Sequence, residues 1–227
     1  MKRLALIGFG KMGRALEQLA PERGFEVVSR IDPKGGDFKS VSRDSLKDAQ
    51  VAVEFTAAPS APANIRAAIE AGCPIVVGTT GWYEQRKELE AFAHARKGSL
   101  LVAPNFSIGV AAFMQIVENA ARTLKSAPGF EAHISETHHS GKKDAPSGTA
   151  ASLADHAARE WGKQIPITSI RVGSVPGTHE LVFDGPFEQI RLVHVARDRR
   201  VFADGALLAA NWLVGKNGVF TMSDVLK

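Results

Sequence analysis

Between Glu136 and Ala150 the sequence gathers side chains that move protons and hold anions: Glu136, His138, His139, Lys142, Lys143, Asp144, Ser147 and Thr149. Of the 7 histidines, all but His94 lie beyond residue 132. A histidine that titrates near neutrality, together with a lysine, can exchange protons with a bound anion. Ser147, Gly148 and Thr149 open a predicted helix, so their N–H groups and hydroxyls form an anion cradle. Adjacent strand residues point to opposite faces, so His138 and His139 share one ligand only if the strand ends there, as Ser140-Gly141 suggests. The set suits a carboxylate better than a nucleic-acid phosphate, because no aromatic residues interleave to stack on bases. A metal site from Glu136, His138 and His139 is disfavoured, since neighbouring strand histidines diverge and no further ligand has helpful spacing. A surface charge cluster with a simple helix cap is the plain alternative. Ser147 lacks the setting of an activated nucleophile.

A second constellation stands near the start. Gly8-Phe9-Gly10-Lys11-Met12-Gly13 is G-x-G-x-x-G, directly after an apolar run and at the opening of a helical pattern. In a dinucleotide site the first glycine permits the tight turn, the second lets the pyrophosphate approach the backbone, and the third lets helix and strand pack closely. The helix N-terminus supplies N–H groups and partial positive charge to the phosphates. Asp32 ends the second apolar run, about 20 residues further on, where an acid accepts hydrogen bonds from the adenosine ribose. It would repel a 2′-phosphate, which favours NAD(H). Arg30 and Lys34 beside it could pair with such a phosphate or form a solvated basic edge, so NADP(H) stays open. Gly78-Thr79-Thr80-Gly81 and Ala103-Pro104-Asn105-Phe106 fall after the fourth and fifth runs, where ligands meet the carboxyl ends of parallel strands. They read equally as a helix-capping turn and a proline-marked boundary.

The elements that must position these residues follow from periodicity. Strands are expected at Leu4–Ile7, Phe25–Ile31, Val51–Phe55, Pro74–Val77 and Leu100–Ala103. Helices are expected at Lys11–Ala20, Ala61–Ala71 and Trp82–Arg96, with Ser40–Asp48 a short connector. This alternation implies a parallel sheet with right-handed crossovers. The rhythm then changes: a helix at about Val110–Leu124, a strand at Phe130–Glu136, a helix from about Gly148 to Trp161, and extended segments at Ile167–Val172, His179–Asp184 and Glu188–Arg197. Strands in succession suggest a mixed or antiparallel sheet. A last helix, about Gly205–Val214, leads into the turn Lys216-Asn217-Gly218. The reading is two domains with a hinge near residue 105.

Composition removes several classes. In 227 residues, 44% hydrophobic and 23% charged content excludes disorder. The apolar runs fall far short of the roughly 20 residues a membrane helix needs, and Met1-Lys2-Arg3 is followed by no signal-peptide core. A net charge of +4 is too small to argue for nucleic acid. The single Cys73 can form no internal disulfide, which favours a reducing, cytoplasmic setting.

The signature Glu136-x-His138-His139-x-x-Lys142-x-Asp144-Ala145-Pro146-Ser147-Gly148-Thr149-Ala150 resembles that of the 4-hydroxy-tetrahydrodipicolinate (dihydrodipicolinate) reductase family of lysine and diaminopimelate biosynthesis. The resemblance extends through Glu54-Phe55-Thr56, Gly78–Gly81, Asn105-Phe106-Ser107-x-Gly109-Val110, Arg171-x-Gly173 to Gly177-x-His179, and Phe202–Ala206. It implies a Rossmann-like doubly wound α/β domain (1–104, with 205–227 returning to it) and a smaller α+β domain with a mixed sheet (105–204) for substrate binding and oligomerisation. It implies His138 as acid/base and Lys142 as proton donor, with His139, Ser147, Gly148 and Thr149 on substrate carboxylates. It implies cofactor contacts from Gly8, Phe9, Gly10, Lys11, Met12, Asp32, Gly78, Thr79, Thr80, Ala103, Pro104, Asn105 and Phe106, and hinge residues at Arg199 and Phe202. The implied reaction is hydride delivery from NAD(P)H to C4 of a cyclic dicarboxylate imine with loss of water, in a homotetramer whose domains close around the ligands.

The chain departs from the family pattern in places. Its glycine loop is one residue shorter than the common G-x-x-G-x-M-G, which bears on the phosphate contacts of Lys11. Pro33 follows Asp32 where an arginine often holds an NADP phosphate, and the stretch from Asp32 to Gln50 is short. Two other functions compete: a related amino- or imino-acid dehydrogenase, against which the dianion cradle argues, and a dinucleotide-binding redox sensor, for which no DNA-binding module remains.

Overall fold

The computed structural model describes all 227 residues, which divide into two compact units: 1–107 with 199–227, and 108–198. The first unit runs β1 (Lys2–Ile7), α1 (Lys11–Leu19), β2 (Phe25–Ile31), α2 (Arg43–Leu46), β3 (Val51–Glu54), α3 (Ala61–Glu70), β4 (Ile75–Val77), α4 (Arg86–Ala95) and β5 (Ser99–Val102). The second runs α5 (Ile108–Leu124), β6 (Glu131–His138), α6 (Gly148–Trp161), β7 (Ile167–Arg171), β8 (Thr178–Asp184) and β9 (Gln189–Val195). The chain then rejoins the first unit as α7 (Arg200–Leu213), β10 (Gly218–Phe220) and α8 (Met222–Val225).

The first unit is a six-stranded parallel sheet in the order β10-β5-β4-β3-β1-β2. Its central strands are buried on both faces, which is why they read as continuous apolar runs. Leu4 and Leu6 point to one face, into a core with Leu16 of α1 and Ala206, Leu207 and Leu213 of α7. Ala5 and Ile7 point to the other, against Ile65 and Ile69 of α3 and Leu89 of α4. Helices therefore cover both faces, and the sheet is doubly wound as the sequence implies. The winding reverses between β1 and β3, so the crevice at their carboxyl ends is the expected ligand position.

The second unit is a mixed four-stranded sheet, order β7-β6-β8-β9, with β6 and β7 parallel and the other pairs antiparallel. One face packs on α5 and α6 through Phe113, Val117, Leu153, Ala157, Ile134, Leu181 and Phe183. The opposite face leaves Ile170, Val172, Val193 and Val195 exposed. No helix is long and apolar enough to cross a membrane.

Four local expectations need correction. The connector 40–48 contains α2, closed by a reciprocal Ser42–Ser45 capping box. The helix expected from Trp82 starts at Arg86 behind a 3₁₀ turn at Tyr83–Gln85; Trp82 is buried and donates from Nε1 to the Thr79 carbonyl at 2.7 Å. The last helix begins at Arg200, not at about Gly205. Gly205 lies inside that helix because a Cβ there would stand 1.7 Å from the Phe106 carbonyl oxygen. The turn at 216–218 leads into a sixth strand, β10, pairing with β5.

Candidate active site

In the first unit the glycine turn follows β1 and opens α1. Gly8 has φ +93°, and a Cβ there would meet the Phe55 carbonyl oxygen at 2.0 Å. A Cβ on Gly13 would meet the Gly8 carbonyl oxygen at 2.3 Å, so this glycine sets the close packing of helix on strand. Nothing lies within 4 Å of a Cβ built on Gly10, which caps α1 without a side-chain hydrogen bond and with no acid in the first turn. An open backbone at the positive end of a helix fits the pyrophosphate of a dinucleotide. Lys11 is exposed and Met12 half-buried beside it.

Asp32 holds this turn in place. Its Oδ2 accepts the Phe9 N–H at 2.8 Å, and its Oδ1 accepts the N–H groups of Lys34 and Gly35 at 2.8 and 3.2 Å. The Phe9 amide, then that of Lys34, pulls its carboxyl below the usual range. Three of its roughly four lone-pair positions are thus used, which leaves capacity for a ribose hydroxyl. Arg30 is committed elsewhere: its Nε donates to Glu17 at 2.5 Å, and Nη1 lies 3.5 Å from Asp37. The guanidinium also lies over the Phe9 ring.

The loops after β3, β4 and β5 interlock. Thr79 is buried, and its Oγ1 accepts the Thr56 N–H at 2.7 Å, while Thr80 is exposed. Gly78 is obligatory, since a Cβ would enter the Phe55 ring at 2.1 Å. Phe55 in turn meets Phe106 edge-on at 5.8 Å between centroids. Ala103 and Phe106 are buried in the core, Pro104 is exposed, and Asn105 Oδ1 accepts the Ser107 N–H at 2.8 Å. Behind them Glu54 is fully buried, hydrogen-bonded by Thr56 and carrying an unpartnered Oε2; burial raises its pKa.

The second unit builds its polar centre by extending the core face of its own sheet. The rung Ile167–Ile134–Leu181–Leu192 is apolar, and the next, two residues along each strand, is Ser169–Glu136–His179–His194. One step beyond, His138 pairs with Arg171 and ends β6. Side chains alternate along a strand, so Glu136, His138, His179 and Arg171 all share the helix-covered face. His139 falls past the strand end, half-buried, and its carbonyl accepts the Lys142 N–H at 3.0 Å.

Glu136 is the hub. It is fully buried; Oε2 meets His138 Nδ1, and Oε1 accepts from Arg171 Nη2 at 2.7 Å and from the Ser147 N–H at 3.3 Å. Burial alone would raise its pKa, but hydrogen bonds from Arg171, Ser169, His138 and Ser147 outweigh that and hold it at about 2. Burial lowers the pKa of His138, opposed by Glu136 and assisted by Lys142 and Arg171. His179 is pushed down to about 4, by burial first and then by His138. Its ring meets His138 edge-on at 5.1 Å, and its Nε2 lies 3.3 Å from Ser147 Oγ. Lys142 Nζ is paired with both Asp144 oxygens at 2.8 and 2.9 Å. Ser147 caps α6 by accepting the Ala150 N–H at 3.1 Å, while Gly148 is exposed and Thr149 half-buried on the first turn.

The second unit therefore brings His138, Lys142 and the Ser147–Thr149 turn to one end of its sheet. Sequence spacing gave no role to Arg171, His179 or His194, because only strand register places them there. Glu136, His138 and His179 offer three ligand atoms within 4.8 Å of one another. Both Glu136 oxygens, however, are engaged by donors, one of them a guanidinium, so the set is organised for protons rather than for a cation.

Comparison with known proteins agrees with this architecture. Residues 2–106 match the family described as dihydrodipicolinate reductase, N-terminus, and residues 109–226 its C-terminus. The chain is 32% identical to the 4-hydroxy-tetrahydrodipicolinate reductase of Christiangramia forsetii, over 98% of this chain and 97% of that protein. It is 36% identical to the protein of the same name from Methanospirillum hungatei, over 96% and 95%. Among solved structures, the dipicolinate-bound dihydrodipicolinate reductase of Paenisporosarcina sp. TG-14 shares the fold at TM-score 0.80 and 23% identity, covering 97% of each chain. With both halves of the family and near full-length relatives matched, this chain belongs to the dihydrodipicolinate reductase family.

Proposed function

We propose that the protein reduces 4-hydroxy-tetrahydrodipicolinate, a cyclic dicarboxylate, to tetrahydrodipicolinate with loss of water, in the diaminopimelate route to lysine. The observation that carries this reading is the convergence of His138, Lys142 and the N-terminal turn of α6 at one end of the second unit's sheet. When bound, the nicotinamide cofactor supplies a hydride to C4 of the substrate. His138 exchanges a proton with the reacting ring, and Lys142 donates one. His139 and the Ser147–Thr149 turn hold the carboxylates, at the positive end of the α6 dipole.

The first unit is the dinucleotide-binding domain, with contacts from Gly8–Met12, Asp32, Gly78–Thr80 and Ala103–Phe106. Asp32, which keeps an acceptor position for the ribose, supports NADH as the preferred cofactor over NADPH. The second unit is the substrate and oligomerisation domain. The exposed Ile170, Val172, Val193 and Val195 on its uncovered sheet face support a homotetramer. A single buried cysteine, Cys73, supports a cytoplasmic setting.

The test follows NADH absorbance in a mixture of dihydrodipicolinate synthase, pyruvate and aspartate semialdehyde, which makes the unstable substrate in place. Oxidation that requires both this chain and the synthase is the expected result. No oxidation with NADH or NADPH, from protein shown to bind the cofactor, would reject the assignment and call for a different imine or a sensor.

A further inference from the structure

Glu136 Oε2 lies within hydrogen-bond distance of His138 Nδ1, and an ionised carboxylate can only accept. A neutral His138 ring must then carry its proton on Nδ1. Its other nitrogen, Nε2, faces Gly177, where a built Cβ would stand at 3.0 Å. A side chain at 177 would press on that nitrogen, and glycine keeps that space open. Arg171 ties the arrangement together, since Nη2 donates both to Glu136 Oε1 and to the Asp144 carbonyl at 2.6 Å. One guanidinium thus fixes the carboxylate behind His138 and the loop whose Asp144 holds Lys142.

We infer that Glu136 is a positioning residue for the reaction proposed above: its carboxylate locks His138 in the Nδ1-protonated tautomer and presents Nε2 as the atom that exchanges the proton. This assignment rests on that functional reading for its purpose, but the tautomer itself is a property of the free protein. The charged and titratable groups around His138 are Glu136 on its own strand, Arg171 on β7, His179 on β8, and Lys142 and Asp144 on the following loop. Among the groups with the largest effect on its charge, Glu136 favours the imidazolium, while Lys142 and Arg171 oppose it. Removing the Glu136 charge therefore shifts His138 towards the neutral form. A group that only filled space would leave the titration where it is.

The test is ¹⁵N NMR of the histidine side chains in the full-length protein, with His138 assigned by loss of its signals in His138→Asn. In the unsubstituted protein above its midpoint, His138 is expected with Nδ1 protonated and Nε2 bare. Glu136→Gln is close to isosteric and is expected to move the His138 titration midpoint to lower pH. Its kcat should fall by about 10–100-fold, the range typical of groups that orient a functional histidine, while KM for NADH is unchanged. Bare Nδ1 with protonated Nε2 in the unsubstituted protein would overturn the inference even if Glu136→Gln fails to fold. So would a folded Glu136→Gln protein with an unmoved His138 midpoint. An inactive protein with the expected tautomer would count against the substrate assignment and not against the role of Glu136.

Discussion

His179 stands opposite Glu136 in the antiparallel register of β6 and β8, one rung beyond the Ile134–Leu181 pair of the core. A histidine is thereby built into the end of a hydrophobic face, and it stays neutral there because burial and the neighbouring His138 oppose its charge.

That placement predicts an acid-sensitive fold. The folded-state pKa of His179, about 4, lies below its ordinary 6.5, so the unfolded chain binds this proton more readily. The stabilising effect is complete above about pH 6.5 and fades as pH falls towards 4. About 2 kcal/mol should disappear by pH 5, lowering Tm by about 4–8 °C. In His179→Gln this part of the pH dependence should vanish. Thermal melts of both proteins at pH 7.5 and pH 5 make the comparison, and equal losses in the two would clear His179 of responsibility.

The chemistry predicted for the second unit is tested at its two proton-carrying residues. His138→Ala and Lys142→Ala should each lower turnover by about 10²–10⁴-fold. Fluorescence titration should show NADH still bound, because neither residue belongs to the first unit. Unchanged turnover in both variants would remove the assigned roles.

Asp32 grips the Phe9 amide in the first unit, and in the proposed function it also offers an acceptor to the ribose. Asp32→Ala should raise KM for NADH by roughly 10-fold, the scale of one lost hydrogen bond to a charged group. KM for NADPH should rise less, because the same change removes repulsion of the 2′-phosphate. Steady-state kinetics with both cofactors decide, and equal increases would take Asp32 out of the ribose site.

Gly205 is expected to resist the substitution that helix propensity recommends. Alanine is favoured over glycine in a helix interior by about 1 kcal/mol. A Cβ at 205, however, would stand 1.7 Å from the Phe106 carbonyl oxygen, which is backbone and cannot swing aside. Gly205→Ala should therefore cost about 1–3 kcal/mol net, seen as a lower urea midpoint at unchanged m-value. A stabilised variant would mean that α7 slides freely over the loop after β5.

The glycine turn and the segment from His138 to Thr149 were legible because each is local: a strand end, a turn and a helix start in consecutive residues. Gly8 takes the positive-φ turn and Gly13 the close helix–strand contact that their spacing implies. What stayed hidden depends on register. Nothing between Gly177 and His179 reveals that His179 will lie across from Glu136, or that Arg171 will bind the same carboxylate. The start of α7 was obscured because Arg197-Asp198-Arg199-Arg200 offers no apolar period, while Gly205 imitates a boundary. Its real cause, the close approach of Phe106, lies almost a hundred residues away in the chain. β10 is hard to read because its three residues, beginning on the glycine of the Lys216-Asn217-Gly218 turn, carry too little pattern.

The return of residues 199–227 to the first unit also sets an order of assembly. Leu4, Leu6, Val53 and Val76 share their core with Ala206, Leu207, Ala210 and Leu213 of α7. During synthesis those strands leave the ribosome before residues 108–198 and wait for a helix made after them. Residues 108–198 form one continuous stretch, with all their strands and helices in hand before α7 emerges. The part translated first is thus the part completed last. A chain cut before Arg200 would keep the sheet that carries His138 and leave the first unit without one face of its core.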